Sequence, residues 1–230
     1  MSEYDKDIVI IGDTHGMWHV LNPFVNKKRP DIILSCGDFG YWPRWKEKQR
    51  CKKWPKNKIP KVPDGCKLYF CDGNHEDHEM LLQAKDNELY PNVHYQPRGS
   101  TMRLPDGRQV LFFGGALSID KSTRKWGIDW FPEEQISHSQ IHNLDVEGKV
   151  DIVISHTCPR EFEMTGYDMK VNDCNRMALS YILQIYQPSL WYFGHWHRYT
   201  TGFYKGCRWT CLDMFHNPGY QTKQWEYLRK

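Results

Sequence analysis

Five short segments of this 230-residue chain carry side chains that bind divalent cations: Gly12-Asp13-Thr14-His15, Gly37-Asp38, Gly73-Asn74-His75-Glu76, Ser155-His156 and Gly194-His195-Trp196-His197. Asp13 and His15 stand one residue apart, so a hard carboxylate oxygen and an imidazole can project the same way where a strand opens into a loop. One Asp-x-His is more often a surface turn than a site, and it is the recurrence of such segments that turns the reading. Carboxylate, amide oxygen and imidazole without thiolate suit Mn²⁺, Fe, Zn²⁺ or Ni²⁺, with Mg²⁺ also compatible, rather than a cysteine-built structural zinc. Asp13, His15, Asp38, Asn74, His75, His156, His195 and His197 would line one basin, and seven or eight ligands are too many for one ion. Two ions about 3.5–4 Å apart, bridged by a carboxylate and a water, accommodate them.

Each segment follows a short apolar run: Ile8–Ile11, Asp31–Cys36, Lys67–Cys71, Val150–Ile154 and Ser189–Phe193. Such runs, closed by glycine or serine, read as strands buried on both faces of a layered α/β domain. Residues just beyond the carboxyl ends of such strands converge on one rim, where ligands bind. Helices are expected at about 17–26, 76–84 and 173–186, with another beginning at Pro132-Glu133-Glu134-Gln135. Residues 100–113 read as a hairpin around Pro105-Asp106-Gly107, and 200–204 with 208–214 as a second pair of arms. The long loop 117–131 offers Lys121, Arg124 and Lys125 to a phosphate. His19, His78, His94, His138, His142 and His216 lie outside the strand-end segments and are read as ordinary core or surface residues.

The length and a 40% hydrophobic content suit a single domain over residues 1–230. The first seven residues lack the basic and apolar regions of an export signal, and no stretch approaches eighteen apolar residues, so neither export nor a membrane partner is expected. Eight irregularly spaced cysteines, none in Cys-x-x-Cys, read as reduced thiols and suit a cytoplasmic location. The net charge of +3 hides an asymmetry. Residues 41–61 hold nine Lys and Arg against one Glu, a net +8 that leaves −5 for the rest. Trp42, Trp45 and Trp54 interleave with these cations, as a surface that stacks bases and attracts phosphates would. The insert is read either that way, with a nucleotide or nucleic acid as partner, or as a solvated lid with a short helix at about 44–54.

In order and spacing, these motifs resemble the calcineurin-like metallophosphoesterase superfamily from residue 8 to about 220. The resemblance implies two mixed β-sheets flanked by helices, an α/β sandwich. It implies one metal held by Asp13, His15, Asp38 and His197 and a second by Asp38, Asn74, His156 and His195, with Asp38 bridging and His75 facing the substrate. Asp38, Asn74 and His75 would then be the catalytic residues. A hydroxide between the metals would attack the phosphorus of a mono- or diester in line, with His75 stabilising or protonating the departing oxygen and Asn74 adding an amide donor. No phosphoenzyme is expected. The protein Ser/Thr phosphatases continue Gly-Asp into a segment with an Asp-Arg pair, whereas here Asp38 leads into Phe39-Gly40-Tyr41-Trp42-Pro43. A phosphodiesterase or nuclease recruited by the insert, a phosphoprotein phosphatase, and a non-catalytic binding module on the same fold are the alternatives. Intact ligands weigh against the last.

Overall fold

The computed structural model describes residues 4–44, 59–164, 173–215 and 222–230. Two six-stranded mixed sheets face each other. One has the order β12-β1-β2-β3-β5-β4 and is built from β1 (Tyr4–Ile11), β2 (Ile32–Ser35), β3 (Lys67–Phe70), β4 (Glu88–Tyr90), β5 (Val93–Tyr95) and β12 (Trp225–Arg229). The other, ordered β10-β11-β9-β8-β7-β6, comprises β6 (Thr101–Arg103), β7 (Gln109–Phe113), β8 (Ile152–Ser155), β9 (Leu190–Phe193), β10 (Thr200–Tyr204) and β11 (Cys207–Cys211). The four central strands of each sheet run parallel, and the edge strands β12, β4, β6 and β10 pair antiparallel.

The period-2 alternation of a strand explains why the central runs are apolar throughout. Ile8 and Ile10 of β1 face the other sheet and meet a cluster with Val110, Phe112, Ile152, Ile154 and Tyr192. Val9 and Ile11 face outward, joining Trp18, Leu21 and Val25 of α1 (Trp18–Lys28). On the far side, Val153 and Trp191 pack with Leu179, Ile182 and Leu183 of α4 (Cys174–Tyr186). Burying each of those helix side chains is worth about 1.5–3 kcal/mol. Asp173 caps α4 by accepting from the Asn175 and Arg176 amides, and Gln187 ends it in the left-handed region before Pro188. Two short helices, α2 (His78–Gln83) and α3 (His138–His142), complete the flanks.

The five apolar runs and the 100–113 hairpin form as the sequence leads one to expect. Other elements differ. The helix expected from Pro132 stops after one 3₁₀ turn, Pro132–Glu134, because the Glu133, Glu134 and Gln135 carbonyls accept from the Arg98 guanidinium instead of continuing a helical ladder. Helix α2 starts at His78 rather than Glu76. Asp77 is its cap, and the Glu76 carboxylate turns back to accept from the Gly73 and Gly40 amides. Strands β4, β5 and β12 add to the elements expected from sequence. Residues 45–58 of the insert, with Trp45, Trp54 and all of the expected 44–54 helix beyond Arg44, lie outside the described residues, as do His216 and the turn at 217–220.

Candidate metal centre

Three strands of one sheet and two of the other deliver the candidate ligands to a common rim. The loops that carry them are strained. His15, Asp38, His195 and His197 have φ of 44°, 43°, 68° and 46°, a left-handed conformation that costs roughly 1–2 kcal/mol for a residue with a Cβ. The surroundings hold it in place. The Thr14 and His15 amides both donate to the Asp38 carbonyl at 3.1 and 2.7 Å, and the Gly194 amide donates to the His156 carbonyl at 3.0 Å. Two glycines are required by close approach, since a Cβ on Gly73 would overlap Asp38 Oδ1 and one on Gly194 would overlap Asp13 Oδ1.

Asp13, His15, Asp38 and His197 each present one donor atom, all within 4.8 Å of one another. His197 Nε2 lies 3.1 Å from Asp13 Oδ2 and 3.1 Å from His15 Nε2, and His15 Nε2 lies 3.6 Å from Asp38 Oδ2. A second group adjoins the first. The same Asp38 Oδ2 is 3.3 Å from His156 Nε2, while Asn74 Oδ1 is 3.1 Å from both His156 Nε2 and His195 Nδ1. His75 sits beside them: its amide donates to Asp38 Oδ1 at 2.8 Å, and its ring is 4.9 Å from that of His15. All eight rim residues singled out from sequence are therefore brought together.

The charges suit a cation. Burial alone would raise the Asp38 carboxyl, but His156, His75 and His15 around it hold it well below the ordinary carboxylate range. Asp13 is likewise lowered, with His156 and the His197 hydrogen bond outweighing burial. Burial pushes His195 down to about 3 and His75 to about 4, leaving neutral rings with lone pairs to donate. His197 and His156 are the exceptions: the Asp13 hydrogen bond raises His197, and although burial lowers His156, Asp38 and Asp13 lift it to about 10. Two buried carboxylates thus retain a proton on His156, which a bound metal would release. Neutral imidazoles, an amide oxygen and two carboxylates fit Mn²⁺, Fe, Zn²⁺ or Ni²⁺.

The supporting residues were only partly visible in the sequence. Asp72, which flanks the Asn74 segment, pairs with Arg98 and accepts from the Tyr95 hydroxyl; Glu76 ties two loops through the Gly40 and Gly73 amides. Burial raises Glu76 to about 8, reinforced by the nearby Asp38 charge. Of the three cations in loop 117–131, Lys121 and Lys125 are exposed, whereas Arg124 reaches inward. Its Nη2 lies 2.7 Å from His75 Nε2, its Nη1 donates to the Asn74 carbonyl at 3.2 Å, and Asp120 pairs with it at 2.8 Å. Ser118 and Glu134, which gave no signal, stand behind Asn74: Asn74 Nδ2 donates to Ser118 Oγ at 3.0 Å.

The family model for calcineurin-like phosphoesterases matches residues 6–199. The chain belongs to that family. Family membership makes it a phosphoesterase-type chain whose relatives use divalent metals, with Asp13, His15, Asp38 and His197 as the candidate site. No curated protein sequence matches it significantly. Among solved structures it is similar to TT1561 of Thermus thermophilus, with 14% identity over 90% of this chain and 89% of that one and a TM-score of 0.54. It is also similar to the phosphopantetheinyl hydrolase PptH from Mycobacterium tuberculosis, with 12% identity over 99% and 97% and a TM-score of 0.46. At such identities the first likeness shows the fold alone, and the second carries no argument. Among the described residues no helix is long and apolar enough to cross a membrane.

Proposed function

We propose that this calcineurin-like phosphoesterase hydrolyses phosphate mono- or diesters using two divalent ions, Mn²⁺ first among them. Asp13, His15, Asp38 and His197 would hold one ion, and Asp38, Asn74, His156 and His195 the other. The observation that carries the reading is Asp38 Oδ2, a single carboxylate oxygen 3.6 Å from a donor of the first group and 3.3 Å from a donor of the second. When bound, such a pair supplies Lewis acidity and water acidified toward neutral pH, so no serine or cysteine nucleophile is needed.

The chain's own contribution is positioning and charge. Asp38 stays anionic and shared, and the His75 amide fixes its other oxygen. His75 is neutral in this setting, with Arg124 against its Nε2. That contact favours stabilisation of the departing oxygen by the His75–Arg124 pair over its protonation by His75. One apolar layer shared by both sheets supports a single domain, and unbridged thiols, six of the seven among the described residues buried, support a reducing compartment such as the cytoplasm. The test is hydrolysis of an aryl phosphate and its diester with added Mn²⁺ and after chelation; full turnover in chelator, with metal removal confirmed by elemental analysis, contradicts the proposal.

The charge of residues 41–61, net +8 directly after Asp38, favours a second, narrower reading in which the ester belongs to a nucleotide or nucleic acid. Under it, kcat/KM for a polyanionic substrate falls with salt much faster than for a small aryl phosphate. Equal salt responses exclude it.

A further inference from the structure

Glu134 is a fully buried acid with no place in the chemistry proposed above, and Ser118 beside it is 2% exposed. Both Glu134 oxygens accept from that one residue, Oε1 from the Ser118 amide at 2.8 Å and Oε2 from the Ser118 hydroxyl at 2.6 Å. With its proton directed at Glu134, Ser118 Oγ has only lone pairs to offer on its other side. There it meets Asn74 Nδ2 at 3.0 Å. An asparagine amide can turn about its last bond and exchange its oxygen and nitrogen at almost no steric cost, so its orientation is set by what the neighbours donate and accept. An acceptor at Ser118 draws Nδ2 and thereby turns Oδ1 toward His156 and His195, each 3.1 Å away.

We propose that Glu134 and Ser118 are positioning residues that fix the polarity of the Asn74 amide, so that its oxygen rather than its NH₂ group faces the second ion. The inference rests on the two-ion reading and adds to it the reason the second site is formed before any ion arrives. Neither residue touches substrate. Both lie far from Asn74 in sequence, Ser118 at the start of the 117–131 loop and Glu134 in the turn just past its end, so the residues that bracket that loop serve the metal rim. A flipped Asn74 would present N–H groups to a cation and remove one ligand, and losing a hydrogen-bonding partner of a ligand typically weakens metal affinity by about 10–100-fold.

Glu134→Gln tests polarity with almost no change of shape. The new side chain can still accept from the Ser118 amide, but its NH₂ group now faces Ser118 Oγ and donates to it. The serine proton then points at Asn74 and favours the flipped amide. Mn²⁺ binding is followed by calorimetry on the wild type, Glu134→Gln, Ser118→Ala and the double variant Glu134→Gln/Asn74→Asp, with thermal unfolding of each metal-free protein as the folding control. The expected result is a second-ion affinity at least tenfold weaker in Glu134→Gln and in Ser118→Ala, with the first ion bound as in the wild type. The double variant recovers affinity, because either oxygen of the introduced carboxylate serves as ligand and the other accepts the reversed serine proton. Wild-type affinity for the second ion in a folded Glu134→Gln or Ser118→Ala protein overturns the inference alone. A wild type that takes up a single ion overturns the two-ion reading and this inference with it.

Discussion

Arg98 is the side chain on which the region behind the rim depends most, and Arg98→Met tests this. Its guanidinium is 5% exposed and donates to Asp72 Oδ2 through Nε at 3.0 Å and Nη2 at 2.6 Å. It also reaches the Glu133, Glu134 and Gln135 carbonyls at 2.8, 3.0 and 2.9 Å and Gln140 Oε1 at 3.1 Å. Methionine leaves the buried Asp72 charge uncompensated, a change that costs about 3–5 kcal/mol, against a total stability of roughly 5–15 kcal/mol for a domain. The pH dependence has a definite sign. Burial would raise Asp72, but Arg98 and then His78 hold it below its ordinary value of 3.8, so the carboxylate stabilises the fold above that value and the contribution is lost as pH falls through the lowered one. Without Arg98, burial dominates and the folded-state value rises. The variant's deficit is therefore largest at neutral pH and narrows as acid protonates Asp72. Urea unfolding at neutral and mildly acid pH reads both effects, and Arg98→Met/Asp72→Asn recovers part of the loss while the Glu133 and Gln135 carbonyls stay without Arg98 and the Glu134 carbonyl keeps only the Ala116 amide. A loss below about 1 kcal/mol at neutral pH, or a deficit that widens in acid, refutes the reasoning.

Asp38→Asn removes the charge shared by both donor groups and is expected to lower the occupancy of both ions by elemental analysis, whereas His75→Ala keeps its metals and loses turnover; the reverse pattern refutes the assignment. Gly194→Ala drives a methyl against Asp13 Oδ1, with an expected loss of about 1–3 kcal/mol and weaker first-ion binding, and unchanged Mn²⁺ affinity counts against the close approach. Replacing Lys52, Lys53, Lys56 and Lys58 together by Ser is expected to raise KM for a polyanionic substrate with little change in kcat, since remote phosphates are bound equally in ground and transition states. An equal effect on a small aryl phosphate leaves the insert without a recruiting role.

The rim was legible in the sequence because each ligand segment closely follows a short run with three or more consecutive apolar residues, so strand and site announce each other. What supports the rim was only partly so. Ser118, Glu134 and Arg124 follow no strand, and only long-range folding brings them to Asn74 and His75. Strand β12 escaped because Trp225–Arg229 inverts the usual pattern, burying Glu226 and Leu228 and leaving Trp225 and Tyr227 half-buried. Glu226 is tolerated inside because Lys223 pairs with it at 2.7 Å. The stop after Pro132–Glu134 depends on Arg98, which is more than thirty residues away and has no local trace.

The central claim is that Asp38 joins two metal sites that together hydrolyse phosphate esters. Titration of the metal-free protein with Mn²⁺ by calorimetry, with aryl phosphate hydrolysis followed on the same samples, tests it most directly. The account predicts uptake of two ions, with turnover rising as the second site fills and vanishing in chelator. Saturation at one ion with full turnover, or hydrolysis independent of metal, would contradict it.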